Sequence, residues 1–123
     1  MRLETKDGSA AGPDTECADG KRRSVLFVTS EITDYVQTGG LGEVSAALPR
    51  ALREFADVRI LVPGYRQVLD RAGAIQPVAL LPGLASVPAC ALGRTQTADG
   101  IPVYVILNAD LYDRPGGLYL DPD

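Results

Sequence analysis

The chain has 123 residues, 46% of them hydrophobic, which is enough for one modest core and too little for two domains. Its 16 acidic and 12 basic side chains leave a net charge of −4, which argues against nucleic acid or an anionic membrane as partner. With no histidine and two cysteines it has neither an imidazole base nor the donor set of a zinc site, so no metal and no cofactor are expected.

Residues 1 to 22 hold small, charged and glycine positions without helical or strand periodicity, and read as a disordered head. Arg2, Glu4, Lys6 and Asp7 follow Met1, so the apolar core of a secretory signal is missing. Cys17 lies in this polar head and Cys90 in an apolar stretch; two reduced thiols of a cytoplasmic protein are the expectation. The basic triplet Lys21-Arg22-Arg23 reads as a solvated lead-in to the first strand.

Residues 24 to 29, with Val25, Leu26, Phe27 and Val28, predict a short buried strand. A loop follows to residue 38. From Leu41 onward, apolar residues at 41, 44, 48, 51, 52 and 55 recur at helical spacing, which predicts a helix over 40 to 54 with that stripe as its buried face. Pro49 falls inside it and removes the hydrogen bond to Ser45, at about 3 kcal/mol. A kink there keeps Leu41, Val44 and Leu48 in phase with Leu52 and Phe55; two short helices are the alternative. Residues 58 to 62 form the next strand, stopped by Pro63-Gly64, and strand–helix–strand makes a right-handed βαβ unit the expected connection.

A short helix over 65 to 72, closed by Gly73, comes next. Strands are expected over 75 to 81, 87 to 94 and 101 to 107, with Pro77 and Pro88 weakening the first two. Ala98-Asp99-Gly100 signals a hairpin between the last two. A loop from 108 to 117 ends the pattern. The most apolar region, 78 to 92, is broken by Pro82, Gly83 and Pro88, well short of the roughly 20 residues that a membrane span needs.

The loop Gln37-Thr38-Gly39-Gly40-Leu41-Gly42-Glu43 carries most of the functional signal. A glycine pair between a strand and a helix lets backbone N–H groups approach an anion with no Cβ in the way. The helix N-terminus adds about half a positive charge at the same place. A tight turn that merely starts the helix is the plain alternative.

Beyond this loop, an ordered set of motifs is similar to the bacterial glycogen synthase and plant starch synthase family. It comprises Val28-Thr29-Ser30-Glu31, Thr38-Gly39-Gly40-Leu41-Gly42-Glu43-Val44 and Ala47-Leu48-Pro49-Arg50-Ala51-Leu52, then Val58-Arg59-Ile60-Leu61-Val62-Pro63-Gly64-Tyr65 and Asp110-Leu111-Tyr112-Asp113-Arg114-Pro115-Gly116-Gly117-Leu118-Tyr119. The likeness runs from about residue 24 to the last. It implies an α/β fold: an incomplete Rossmann-like domain, the N-terminal part of a two-domain GT-B-type glycosyltransferase, over residues 23 to 123. The implied reaction is transfer of glucose from ADP-glucose to the non-reducing end of an α-1,4-glucan with retention of configuration.

By the same resemblance, Gly39 and Gly40 give backbone N–H groups to the donor's diphosphate and glucose. Gln37 stands where the family usually has a lysine, and Glu43 where it usually has an aspartate. Glutamine donates hydrogen bonds but brings no charge to a diphosphate. Glu31 either caps local backbone or meets ligand, and Thr38 is an N-cap before it is a ligand. Tyr112 either touches a sugar ring or packs under the Pro115-Gly116 turn, with Asp113 and Arg114 shaping the loop.

No helix follows that would cover the second face of the sheet, so a missing C-terminal domain or a partner is expected to cover it. The isolated chain is expected to be inactive, because the half of the cleft that holds most of the nucleotide-sugar site lies outside the likeness. A stand-alone, non-enzymatic module that binds glucan or a partner is the alternative, and Gln37 is its support.

Overall fold

Alternation along the strands decides the architecture. The computed structural model describes residues 22–112. In strand β1 (Arg23–Val28), Val25 and Phe27 are half-buried while Leu26 and Val28 are exposed. In strand β2 (Ala56–Pro63), Ala56, Val58, Ile60 and Val62 are buried and Asp57 and Arg59 are not. Such period-two burial requires one covered face and one open face.

Between these strands runs helix α1 (Gly40–Leu52); after β2 come helix α2 (Arg66–Arg71) and strands β3 (Gln76–Leu81), β4 (Cys90–Gln96) and β5 (Pro102–Leu107). A four-residue helix α3 (Ala109–Tyr112) closes the described chain. The sheet order is β1-β2-β5-β4-β3, with β1, β2 and β5 parallel and β4 antiparallel to both β5 and β3. The parallel register aligns Phe27, Ile60 and Val103 on the covered face. There they join Val68 of α2, Ala72 just after it and Ala46 of α1 in the core.

The predicted elements are found, some with corrected bounds. The 87–94 strand begins only at Cys90, because Pro88 has no N–H for the ladder and the chain before it forms a turn bridged between Leu84 and Val87. β3 carries its proline as an edge strand, with a register shift between Pro77 and Ala79. The predicted 108–117 loop contains α3, whose start was readable: the Asn108 side-chain oxygen accepts from the Leu111 N–H at 3.2 Å, as an N-cap does. The 98–100 hairpin holds as predicted, with Gly100 at φ +93° and Gly100 donating to the Thr97 carbonyl at 3.0 Å.

The largest correction concerns the phase of α1. Its buried residues are Gly42, Ser45 and Pro49, whereas Leu41, Val44 and Leu48 of the apolar stripe are 47%, 55% and 42% exposed. The helix runs unbroken through Pro49, whose ring is fully buried. Burial of that ring offsets the backbone hydrogen bond to Ser45 that it omits. Among the described residues the other face of the sheet is open, with Leu26 and Val28 at 56% and 67% exposure. The head at 1 to 21 with Cys17, and Asp113, Arg114 and the Pro115-Gly116 turn, lie outside the described residues.

Candidate functional site

Because β1, β2 and β5 are parallel, their C-terminal ends share one edge, and the loops that leave them meet there. In open α/β sheets this edge is where ligands bind. The loop after β1 supplies Glu31, Gln37, Thr38 and Gly39, and the first turn of α1 supplies Gly40 and Glu43. The loop is not slack chain: Ile32 and Val36 exchange backbone hydrogen bonds of 3.0 and 2.9 Å, and Ile32, Tyr35 and Val36 are buried in the core. The Thr33 N–H donates to the Gly42 carbonyl at 3.1 Å, fastening the loop to the start of α1.

Glu31 lies at the centre, 3% exposed. One carboxylate oxygen accepts the Thr38 N–H at 2.9 Å and the Gly39 N–H at 3.1 Å; the other accepts the Thr38 hydroxyl at 3.1 Å. Of the two roles open to Glu31, the described contacts are those of a backbone cap. Two expectations change accordingly. Thr38 is not the N-cap of α1: that position belongs to Gly39, which has no side chain, and the Thr38 hydroxyl turns to Glu31 instead. The Gly39 N–H points inward to the carboxylate, so the N–H groups left at the helix start are those of Gly40 and Leu41, both at exposed positions.

Gln37 and Glu43 close the other side. The Gln37 amide donates to the Gly39 carbonyl at 3.1 Å and lies 3.4 Å from a Glu43 carboxylate oxygen. Gly42 is required here by close approach, since a Cβ on it would sit 2.8 Å from the Gln37 Cγ and 3.2 Å from Glu31 Oε2. Tyr112, the last residue of α3, meets the Tyr65 ring edge to face at 5.5 Å between centroids. The structure therefore brings Glu31, Gln37, Thr38, Gly39, Gly40 and Glu43 together. It sets Tyr112 on the same edge, against Tyr65.

Two supporting pairs escaped the sequence reading. The Thr29 hydroxyl donates to the Glu31 carbonyl at 2.9 Å and lies 2.8 Å from the Ser45 hydroxyl, both side chains buried. A threonine ending an apolar strand and a serine four residues after an apolar helix position were the available signal. Arg50 of α1 holds Asp34 of the loop at 2.8 Å and Asp99 of the hairpin at 2.9 Å. Tyr35 reaches the Gln96 carbonyl at 3.4 Å, and burial followed by the nearby Asp34 pushes its hydroxyl pKa up, which keeps it a neutral donor. Among the described residues no group of His, Cys, Asp and Glu is placed to hold a metal ion, and no helix is long and apolar enough to cross a membrane.

Comparison with known proteins places these features in context. A family profile described as the starch synthase catalytic domain matches residues 24–123. The chain is 51% identical over 98 residues to a glycogen synthase of Xanthomonas oryzae pv. oryzae, covering 80% of this chain and 19% of that protein. It is 59% identical over 88 residues to glycogen synthase 1 of Bradyrhizobium diazoefficiens, covering 72% and 19%. The chain thus spans about a fifth of the length of these relatives. Among solved structures, the catalytic domain of starch synthase IV from Arabidopsis thaliana, bound to ADP and acarbose, shares the fold with a TM-score of 0.63 at 23% identity, over 82% of this chain and 22% of that one.

Proposed function

The chain belongs to the starch synthase catalytic-domain family, and from that premise we propose that it is the opening part of a retaining glucosyltransferase that moves glucose from ADP-glucose to the non-reducing end of an α-1,4-glucan. The observation that carries this reading is the loop from Gln37 to Glu43, held at the C-terminal edge of a parallel sheet within the matched segment. There the N–H groups of Gly40 and Leu41 meet the donor's diphosphate. The half-charge of the α1 N-terminus supports them. Gln37, at the rim of the loop, adds a neutral amide where a charged side chain would bind phosphate more strongly.

The donor and acceptor follow from the family and from the ADP and acarbose named for the Arabidopsis protein. Tyr112 supplies an aromatic edge to a sugar ring on the same side. The cytoplasm is the proposed compartment, as suits a reduced Cys90. Turnover requires the second half of a two-domain cleft, so the 123-residue chain by itself is expected to bind weakly and to transfer nothing.

The test is titration of the ¹⁵N-labelled chain with ADP-glucose. Amide shifts confined to residues 37 to 43 and the 108 to 112 segment support the reading. An unperturbed loop at millimolar ADP-glucose, or glucose transfer to glycogen by the 123 residues alone, would overturn it.

A further inference from the structure

We propose that Glu31 is a positioning residue for the donor-facing loop: its buried carboxylate turns the Gly39 N–H inward and thereby aims those of Gly40 and Leu41 at the sheet edge. This rests on the reading above and assigns Glu31 a part in it other than contact with ligand.

The argument begins with the cost of burial. A carboxylate out of water must be met by donors, or it is expelled or neutralised. Thr38 and Gly39 bring three donors to Glu31, so the shape of this loop is part of what compensates for burying it. The opposite face is fastened as well. The Gly39 carbonyl, in the next peptide unit, accepts from the Gln37 amide at 3.1 Å and from the Gly42 N–H at 3.3 Å, so Gly39 is held through both its N–H and its carbonyl.

The carboxylate is itself fixed from below. The Glu31 backbone is hydrogen-bonded to the Thr29 hydroxyl through its carbonyl at 2.9 Å and its N–H at 3.4 Å, and Thr29 pairs with Ser45 of α1. Strand end, carboxylate, loop and helix start thus form one connected set. Its negative charge beneath the loop makes Glu31 unsuitable as a contact for a diphosphate, which leaves it to act through the N–H groups it orders.

Amide hydrogen exchange and ADP-glucose titration of the full chain test this with three variants. Glu31→Ala removes the acceptor, and Thr38 and Gly39 should exchange at least about 10-fold faster, with Ile60 and Val62 of β2 unchanged as reference. ADP-glucose should bind about 10-fold more weakly. Glu31→Gln should rescue both to within about 3-fold, since its carbonyl takes the two N–H groups and its amide donates to the Thr38 hydroxyl. Glu31→Asp keeps charge and burial but withdraws the carboxylate by one methylene, and should behave like the alanine variant; it serves where that variant fails to fold. Equal ADP-glucose affinity in the wild-type and aspartate proteins overturns the positioning role while leaving the donor reading intact. A glutamine variant no better than aspartate overturns it too. Absence of any ADP-glucose effect in the wild-type chain defeats the donor reading itself, whatever the exchange rates show.

Discussion

Arg50 meets Asp99 side on, Nε to Oδ2 and Nη2 to Oδ1 both at 2.9 Å, and this joins the last turn of α1 to the tip of the β4–β5 hairpin. The same guanidinium takes Asp34 at 2.8 and 3.3 Å, so one side chain bridges the helix, the hairpin and the loop that carries the candidate site. Exposed ion pairs contribute little, but bidentate, partly buried networks contribute more.

Arg50→Ala is therefore expected to destabilise the chain by about 1–3 kcal/mol. Arg50→Lys should recover less than half of that, because an ammonium cannot grip two carboxylates in parallel. Urea denaturation midpoints at pH 7 measure both, and a lysine variant as stable as the wild type would show that charge alone suffices.

The acid limb of stability should report the same network. The Arg50 guanidinium, and then the Thr97 hydroxyl, hold the Asp99 carboxyl well below the usual carboxylate range. A carboxyl whose folded pKa is depressed adds stability that is present above its unfolded pKa, near about 4, and is lost as pH falls through the folded value. Melting temperature should therefore decline as pH drops below about 4, and the decline should be shallower in Asp99→Asn. An identical slope in the two proteins would assign the acid sensitivity elsewhere.

Position within α1 separates what the sequence revealed from what it did not. Ser45 is fully buried against Thr29, whereas its neighbour Val44 is 55% exposed. Val44→Gln should change the stability of this chain by no more than about 0.5 kcal/mol. Ser45→Leu puts three carbons where one hydroxyl oxygen fits and strips Thr29 of a partner, and should cost about 1–3 kcal/mol or more. Thermal melts of the two variants decide which face of the helix is the inner one.

That inversion shows why the fold was legible and the helix face was not. Strands β1, β2 and β5, the βαβ connection and the Asp99-Gly100 hairpin follow from local signals: alternation, apolar runs and turn chemistry. The inner face of α1 follows from its neighbour. Small and ring-shaped residues at 42, 45 and 49 lie close to the loop and the strand end, and the larger stripe, one residue or about 100° round, is left outside. Period alone marks an apolar stripe without saying what covers it. The site behaved alike. Gly39 and Gly40 were legible as a backbone-lined turn, but the partner of the Gly39 N–H lies eight residues earlier in sequence, beyond any spacing rule.

Gln37 offers the sharpest test of what this loop binds. Its amide spans the rim, from the Gly39 carbonyl at 3.1 Å to Glu43 at 3.4 Å, and its position is exposed, so replacing it should leave the fold unaffected. Lysine in its place keeps a donor within reach of Glu43 and brings a positive charge to the end of α1 where the diphosphate is proposed to sit. Charge-assisted contacts are about twice as strong as neutral ones, so Gln37→Lys should tighten ADP-glucose binding by about 3- to 10-fold at low salt. The gain should shrink as ionic strength rises, because the contact is solvent-exposed. Gln37→Ala loses the bond to the Gly39 carbonyl and should weaken binding by a few-fold, independently of salt. Calorimetric titration at two salt concentrations separates the charge from the loop. Should lysine bring no gain at either concentration, the phosphates do not lie at this end of the helix.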